Sequence, residues 1–113
     1  MHELSVAMGI VKIAEDETKK AKAQKVTLIE LEIGTLAGVE FESLDFVWPS
    51  AVKNTVLEHA ERKIDVKKGL AQCADCDTVF EVQHFYDSCT HCGSNLKGIL
   101  QGKELRVKAL EVI

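Results

Sequence analysis

Residues 73–94 read CADCDTVFEVQHFYDSCTHCGS, two C-x2-C pairs with twelve residues between them. All four cysteines of the chain lie here, and none occurs in the first 72 residues or the last 21. Two residues between cysteines let both thiolates turn toward one point about 2.3 Å from each sulfur, as tetrahedral Zn²⁺ requires. The stretch TVFEVQHF alternates apolar and polar residues, so strand edges can bring the pairs together. Gly93 follows Cys92 and suits a tight turn beneath a metal. A segment of about thirty residues is too small to hold itself together by burial alone, and a bound ion supplies the missing stability. The spacing therefore predicts a four-cysteine zinc ribbon, with Cys73, Cys76, Cys89 and Cys92 as ligands.

Two other readings of the same cysteines stay open. Two disulfides suit a secreted chain, but no export signal is visible. A redox centre normally uses one C-x-x-C on a thioredoxin-like scaffold, and here there are two. His91 lies inside the second pair and His84 close by. Each reads as a solvent-facing loop residue, with replacement of one thiolate by a histidine as the alternative, since Cys₃His sites also bind zinc.

Outward from this segment, the chain resolves into alternating elements. Leu4, Ala7, Met8, Val11 and Ala14 recur at helical spacing, and Val6, Ile10 and Ile13 widen the stripe. The pattern predicts a helix over residues 3 to about 22, its first half buried on more than one side and its second half solvated. Lys25 to Gly34 reads as a strand, with Ile29, Leu31 and Ile33 on one face and Glu30 and Glu32 on the other. Phe41, Leu44, Phe46, Val47 and Trp48 predict a second helix that Pro49 should end or kink, with Val52 and Val56 continuing its face. Arg62–Lys68 and Lys103–Ile113 alternate as strands.

A strand at the extreme C-terminus needs partners, and the strands with a matching apolar face lie before residue 69. The expected fold is α+β: a small three-stranded sheet with two helices, plus an inserted zinc-ribbon subdomain. Residues 1–68 and 102–113 form the discontinuous α/β domain, and 69–101 the insertion, with Gly69, Gly98 and Gly102 near the seams.

The whole chain has 113 residues, 46% apolar and 28% charged, which suits one domain with a small appendage. No run approaches the roughly 18 apolar residues of a membrane helix, and the start lacks the basic region of a signal peptide. The expected location is cytoplasmic. A net charge of -4 gives no electrostatic footprint for nucleic acid. Between Cys73 and Cys92 there is no lysine or arginine, while Asp75, Asp77, Glu81 and Asp87 are acidic. That argues against a phosphate grip. No P-loop, nucleophile elbow or HExxH motif points to an enzyme.

The start, MHELSVAM, completes a pattern. With the strand ending in IGTLAGVEFESLDF, the inserted C-x-x-C pairs and the terminal LEVI, it resembles the HypA/HybF family along essentially the whole chain. The resemblance implies a nickel metallochaperone for maturation of [NiFe]-hydrogenase, and in some bacteria of urease. It implies a transient Ni²⁺ cargo at Met1, His2 and Glu3, and structural Zn²⁺ at the four cysteines. It also implies a partner GTPase, the hydrogenase large-subunit precursor as recipient, urease accessory proteins as further partners, and leaves a homodimer open.

The chemistry of the first three residues agrees independently. Bulky His2 should block removal of Met1 and leave its amine free. That amine, the backbone nitrogen of His2 and its ring nitrogen close successive chelate rings. The backbone nitrogen of Glu3 would complete a square plane suited to Ni(II) or Cu(II); its carboxylate would instead add an oxygen in an octahedral set. Read alone, the same residues are an ordinary start with an acidic first helical turn.

Glu40, after the glycine-containing turn, is a further candidate beside the nickel or a partner, or simply an acid at a helix start. The chain departs from the family where glycines are expected, with Asn54-Thr55 and Glu58-His59-Ala60. That bears on the local turn, and His59 reads as a surface residue. Two competing functions remain: a zinc-ribbon module binding nucleic acid or protein, with MHE incidental, and a thiol-redox protein.

Overall fold

In the computed structural model, which describes residues 2–113, two helices and six strands follow in the order α1 (Glu3–Lys20), β1 (Val26–Gly34), α2 (Phe41–Val52), β2 (Glu61–Lys67), β3 (Gly69–Cys73), β4 (Val79–Val82), β5 (Lys97–Gln101) and β6 (Leu105–Val112). They form two three-stranded sheets, ordered β2-β1-β6 and β4-β3-β5. The chain divides into two compact units. The first holds residues up to Glu32, Val39–Asp65 and Arg106–Ile113. The second holds Ile33–Gly38 and Val66–Leu105. The α+β class is thus as the periodicities require.

In the first unit, Ala7, Ile10, Val11 and Ala14 of α1 are buried with Val26, Ile29 and Leu31 of β1 and Leu44, Trp48, Ala51 and Val52 of α2. Full burial of each large aliphatic side chain contributes about 1.5–3 kcal/mol. The stripe on α1 is narrower than the sequence implies. Leu4, Met8 and Ile13 remain 51%, 52% and 46% exposed. At 100° per residue they flank the buried line on either side, and one neighbouring layer covers only one stripe. The polar end of α1 is closed by Thr18, buried with its hydroxyl donating to the Ala14 carbonyl at 2.6 Å.

Of the two effects expected of Pro49, an end or a kink, it does not end α2; the helix runs on to Val52. A proline inside a helix costs about 3 kcal/mol or more. Only three helical residues follow it, and the burial of Trp48, Ala51 and Val52 offsets the lost bond. Val56 lies beyond the helix. Lys53 turns extended and Asn54 takes φ 61°, its N–H donating to Glu58 Oε2 at 3.1 Å. Asparagine tolerates the left-handed region better than most residues, so the turn forms without the expected glycine.

Strand β1 lies at the centre of its sheet, and its outer face carries charge. Glu32, with 7% of its side chain exposed, accepts from Arg106 Nε at 3.0 Å; Lys108 lies 3.7 Å from Glu30 and 3.3 Å from Asp65. Ile113 and Lys25 exchange backbone hydrogen bonds in both directions, which anchors the C-terminal strand.

The second unit contains segment 69–101 together with residues 33–38, 66–68 and 102–105. Its central strand β3 pairs antiparallel with β4 and with β5. The core is Leu36, Ala71, Cys73, Phe80, Val82 and Cys89, with Cys76 and Ile99 against it. At the root of this unit the backbones of residues 34 and 102 nearly touch. A Cβ on Gly34 would lie 1.9 Å from the Gly102 carbonyl oxygen, and Gly102 itself has φ 119°. Leu36 N–H donates to that same carbonyl at 2.8 Å. Gly98, by contrast, has open space where a side chain would go. Among the described residues, no helix is long and apolar enough to cross a membrane.

Candidate metal centre

The two C-x-x-C turns repeat one local plan. In the first, Asp77 N–H donates to the Cys73 carbonyl at 3.0 Å and Cys73 N–H to the Thr78 carbonyl at 2.9 Å. In the second, Gly93 N–H donates to the Cys89 carbonyl at 2.9 Å and Cys89 N–H to the Ser94 carbonyl at 2.9 Å. The residue after the second cysteine has positive φ in both, 60° at Asp77 and 78° at Gly93. Such a turn aims the two sulfurs of a pair at one point. The hairpin β3–β4 carries the first turn, with Gln72 facing Val79 in register.

The result is a cluster of four Sγ atoms all within 4.8 Å of one another. Cys73 Sγ lies 3.5 Å from Cys92 Sγ, and Cys76 Sγ 3.6 Å from Cys89 Sγ. Cys73 and Cys89 are buried, Cys76 half-buried and Cys92 exposed. Backbone donors already face the sulfurs: Asp75 N–H to Cys73 at 3.4 Å, and His91 and Cys92 N–H to Cys89 at 3.4 and 3.5 Å. Such donors favour thiolate over thiol.

The electrostatics are uneven. Hydrogen bonds from the Thr78 side chain and then its backbone draw the Cys76 thiol down to about 6, with smaller help from His91 and Cys89. At Cys92 the Ser94 N–H pulls downward, but contacts with the other three sulfurs and burial outweigh it and push the thiol up to about 12. Four sulfurs this close do not all ionise on their own. A divalent cation among them supplies the missing charge, and the donor set of four thiolates fits a soft tetrahedral ion. The four cysteines singled out in sequence are thus brought together, and the residues fit a metal.

Among the described residues the clustered ligand atoms are the four sulfurs; of the histidines, His91 reaches Cys76 with a side-chain hydrogen bond without joining the set. His84 stacks on Tyr86, ring centroids 4.8 Å apart, with its Nδ1 3.6 Å from Asp87 Oδ1. Asp87 in turn accepts the N–H groups of Gln83 and His84, which hold its carboxyl below the usual range. His91 is exposed and contributes its N–H to Cys89. His59 is exposed and pairs with Glu58 at 3.5 Å.

At the other end of the chain, Met1 lies outside the described residues. His2 is exposed and precedes α1 as its N-cap residue, its carbonyl accepting the Val6 N–H at 3.1 Å. Glu3 opens the helix, and its Oε2 accepts the Glu40 N–H at 3.2 Å. Glu40 is the N-cap residue of α2. The structure therefore sets the candidate Glu40 directly beside Glu3. This contact escaped the sequence reading because 37 residues separate the partners. Thr78 also escaped it, although a hydroxyl residue follows each second cysteine at the same offset.

Residues 1–112 match the family model described as hydrogenase/urease nickel incorporation, metallochaperone, HypA. A hydrogenase maturation factor HypA of Parabacteroides distasonis is 45% identical over 112 residues, covering 99% of this chain and 97% of the relative. One from Azotobacter chroococcum is 40% identical, covering 99% of both. A solution structure of the nickel metallochaperone HypA from Helicobacter pylori superposes with a TM-score of 0.70 at 28% identity, over 100% of this chain and 98% of that one. Family description, relatives and fold agree, and the chain belongs to the HypA family of nickel-incorporating metallochaperones, carriers rather than enzymes.

Proposed function

We propose that this protein binds Ni(II) at its N-terminus and delivers it to the [NiFe]-hydrogenase large-subunit precursor, or to urease, with a partner GTPase supplying the energy-dependent step. The observation that carries the reading is the placement of exposed His2 and half-buried Glu3 at the start of α1, in a chain of the nickel-incorporation family. The Met1 amine, the His2 backbone and ring nitrogens and Glu3 would form the chelate. The amine has a reference pKa of about 7.7–8.0, so nickel must displace a proton and affinity rises with pH through that range. A shallow, exposed site suits transfer better than storage.

We assign Zn²⁺ to Cys73, Cys76, Cys89 and Cys92 as a structural ion within an inserted domain, residues 69–101. Nickel chemistry belongs to the discontinuous domain 1–68 and 102–113. We place the protein in the cytoplasm, acting with hydrogenase or urease accessory partners, with a homodimer as a further assembly. The rival reading, a zinc-ribbon module gripping nucleic acid, is disfavoured by the acidic, lysine- and arginine-free stretch from Cys73 to Cys92.

The test is nickel titration of zinc-loaded protein with a native start, of His2→Ala, and of a version with one residue added ahead of Met1. Both variants should lose at least tenfold in affinity, about 1.4 kcal/mol, while keeping the wild-type far-UV spectrum. Equal binding by all three would sink the N-terminal site.

A further inference from the structure

The two cysteine turns share a backbone plan but use their equivalent hydroxyls differently. Thr78 and Ser94 each follow the second cysteine of a pair by two residues. Thr78 Oγ1 lies 3.2 Å from Cys76 Sγ. Among the described residues Ser94 Oγ bonds elsewhere than to sulfur: it donates to Asp75 Oδ2 of the other turn and accepts the Leu96 N–H at 3.1 Å. Thr78 is half-buried; its backbone carbonyl accepts the Cys73 N–H, while its side chain, and behind it its backbone, serve the Cys76 sulfur.

We propose that Thr78 is a positioning residue of the four-cysteine metal centre, its hydroxyl donating to the Cys76 thiolate and fixing that sulfur toward the ion. This rests on the metal reading of the cluster given above. A thiol at Cys76 points its S–H at the hydroxyl oxygen; once an ion holds the sulfur as thiolate, the same contact reverses and the O–H donates. A charge-assisted donor of this kind disperses part of the charge that four thiolates pile onto one divalent ion. Cys92, the equivalent sulfur in the second turn, has no hydroxyl partner among the described residues, because the Ser94 hydroxyl braces one turn against the other. The centre is therefore asymmetric, with the Cys76 side the more firmly held.

The experiment uses the full chain. Zn²⁺ is withdrawn from wild type, Thr78→Val, Thr78→Ser and Ser94→Ala by a competing chelator, and each is reloaded with Co²⁺ to read the sulfur-to-cobalt charge-transfer band. Valine keeps the shape of threonine and deletes the hydroxyl; Thr78→Ala replaces it should valine fail to fold. Thr78→Val should bind zinc about tenfold more weakly, the lower range for loss of an outer-shell partner, and its band should move to lower energy as the thiolate loses its donor. Thr78→Ser should restore both, and Ser94→Ala should leave the band in place. A wild-type-like Thr78→Val overturns the proposal. So does weaker binding without a band shift, a Thr78→Ser no better than Thr78→Val, or a Ser94→Ala shift as large as that of Thr78→Val. Wild-type protein that retains no ion defeats the metal reading itself, a result distinct from a loaded wild type with a silent Thr78→Val.

Discussion

The Glu40 N–H donates to Glu3 Oε2 at 3.2 Å, so the residue that opens α1 also satisfies the residue that caps α2. Neither helix start has a cap bond from its own N-cap side chain. Glu3 therefore has a structural task independent of the nickel role proposed for it.

That double task separates by substitution. Glu3→Gln retains a carbonyl oxygen to accept the Glu40 N–H, whereas Glu3→Ala retains nothing. Denaturant unfolding should show Glu3→Ala less stable by about 0.5–1 kcal/mol, the worth of one exposed hydrogen bond, and Glu3→Gln near wild type. In nickel titrations Glu3→Gln should stay within about threefold of wild type, under 1 kcal/mol, because the backbone nitrogen of Glu3 can complete a square plane. A large loss in Glu3→Gln would instead make the carboxylate a ligand.

Much of this arrangement is legible in the chain itself, and the exceptions have physical reasons. The cysteine spacing and the Ile29, Leu31, Ile33 alternation need only local geometry, and both hold: the sulfurs cluster and the three apolar residues are buried. Leu4 and Met8 look like core because periodicity marks a face without saying how much of it a neighbour covers. Pro49 reads as a stop or a kink, and which of them fails to occur depends on tertiary burial that the sequence does not show. Strands β3 and β5 are five residues each, and glycine-bearing, too short for a period to show. The Glu3–Glu40 contact joins residues that no local pattern relates.

Arg106 and Glu32 give a second measurable pair. Glu32 has only 7% of its side chain exposed, while Arg106 is 65% exposed. Arg106→Ala strands the carboxylate in a half-dry setting and should cost about 1–3 kcal/mol, reduced from the fully buried case by solvent reaching the arginine side. A double variant that adds Glu32→Gln should recover part of that loss, since the charge without a partner is gone. Urea unfolding of wild type and the two variants reads both effects; an Arg106→Ala as stable as wild type would mean the pair adds nothing.

Chelation should act regionally. The second unit has a core of six buried residues, two of them cysteines of the cluster, so removing the ion takes away its centre. The first unit draws on Ile29, Leu31, Leu44 and Leu57, each at most 1% exposed, and none is a metal ligand. Hydrogen exchange after strong chelation should show amides of β3, β4 and β5 losing protection by a hundredfold or more, about 2.7 kcal/mol, with α1 and β1 residues 26–32 retained. Uniform loss across the chain would show instead that the two units unfold as one.

The paired turns make a last prediction about Gly93 and Asp77. Both occupy the left-handed region, at φ 78° and 60°, and both donate an N–H to the carbonyl of the cysteine four residues before. Glycine adopts this conformation freely, whereas an L side chain costs roughly 1–2 kcal/mol there. Gly93→Ala should therefore destabilise the metal-loaded second unit by about 1 kcal/mol, although open space surrounds the added methyl. Asp77→Gly relieves the same strain in the first turn and should be neutral or stabilising, because the freedom it adds to the unfolded chain offsets part of the gain. Thermal unfolding of zinc-loaded protein distinguishes the two. A Gly93→Ala variant as stable as wild type would show that the second turn has relaxed out of the left-handed conformation, breaking the equivalence between the two halves of the cluster.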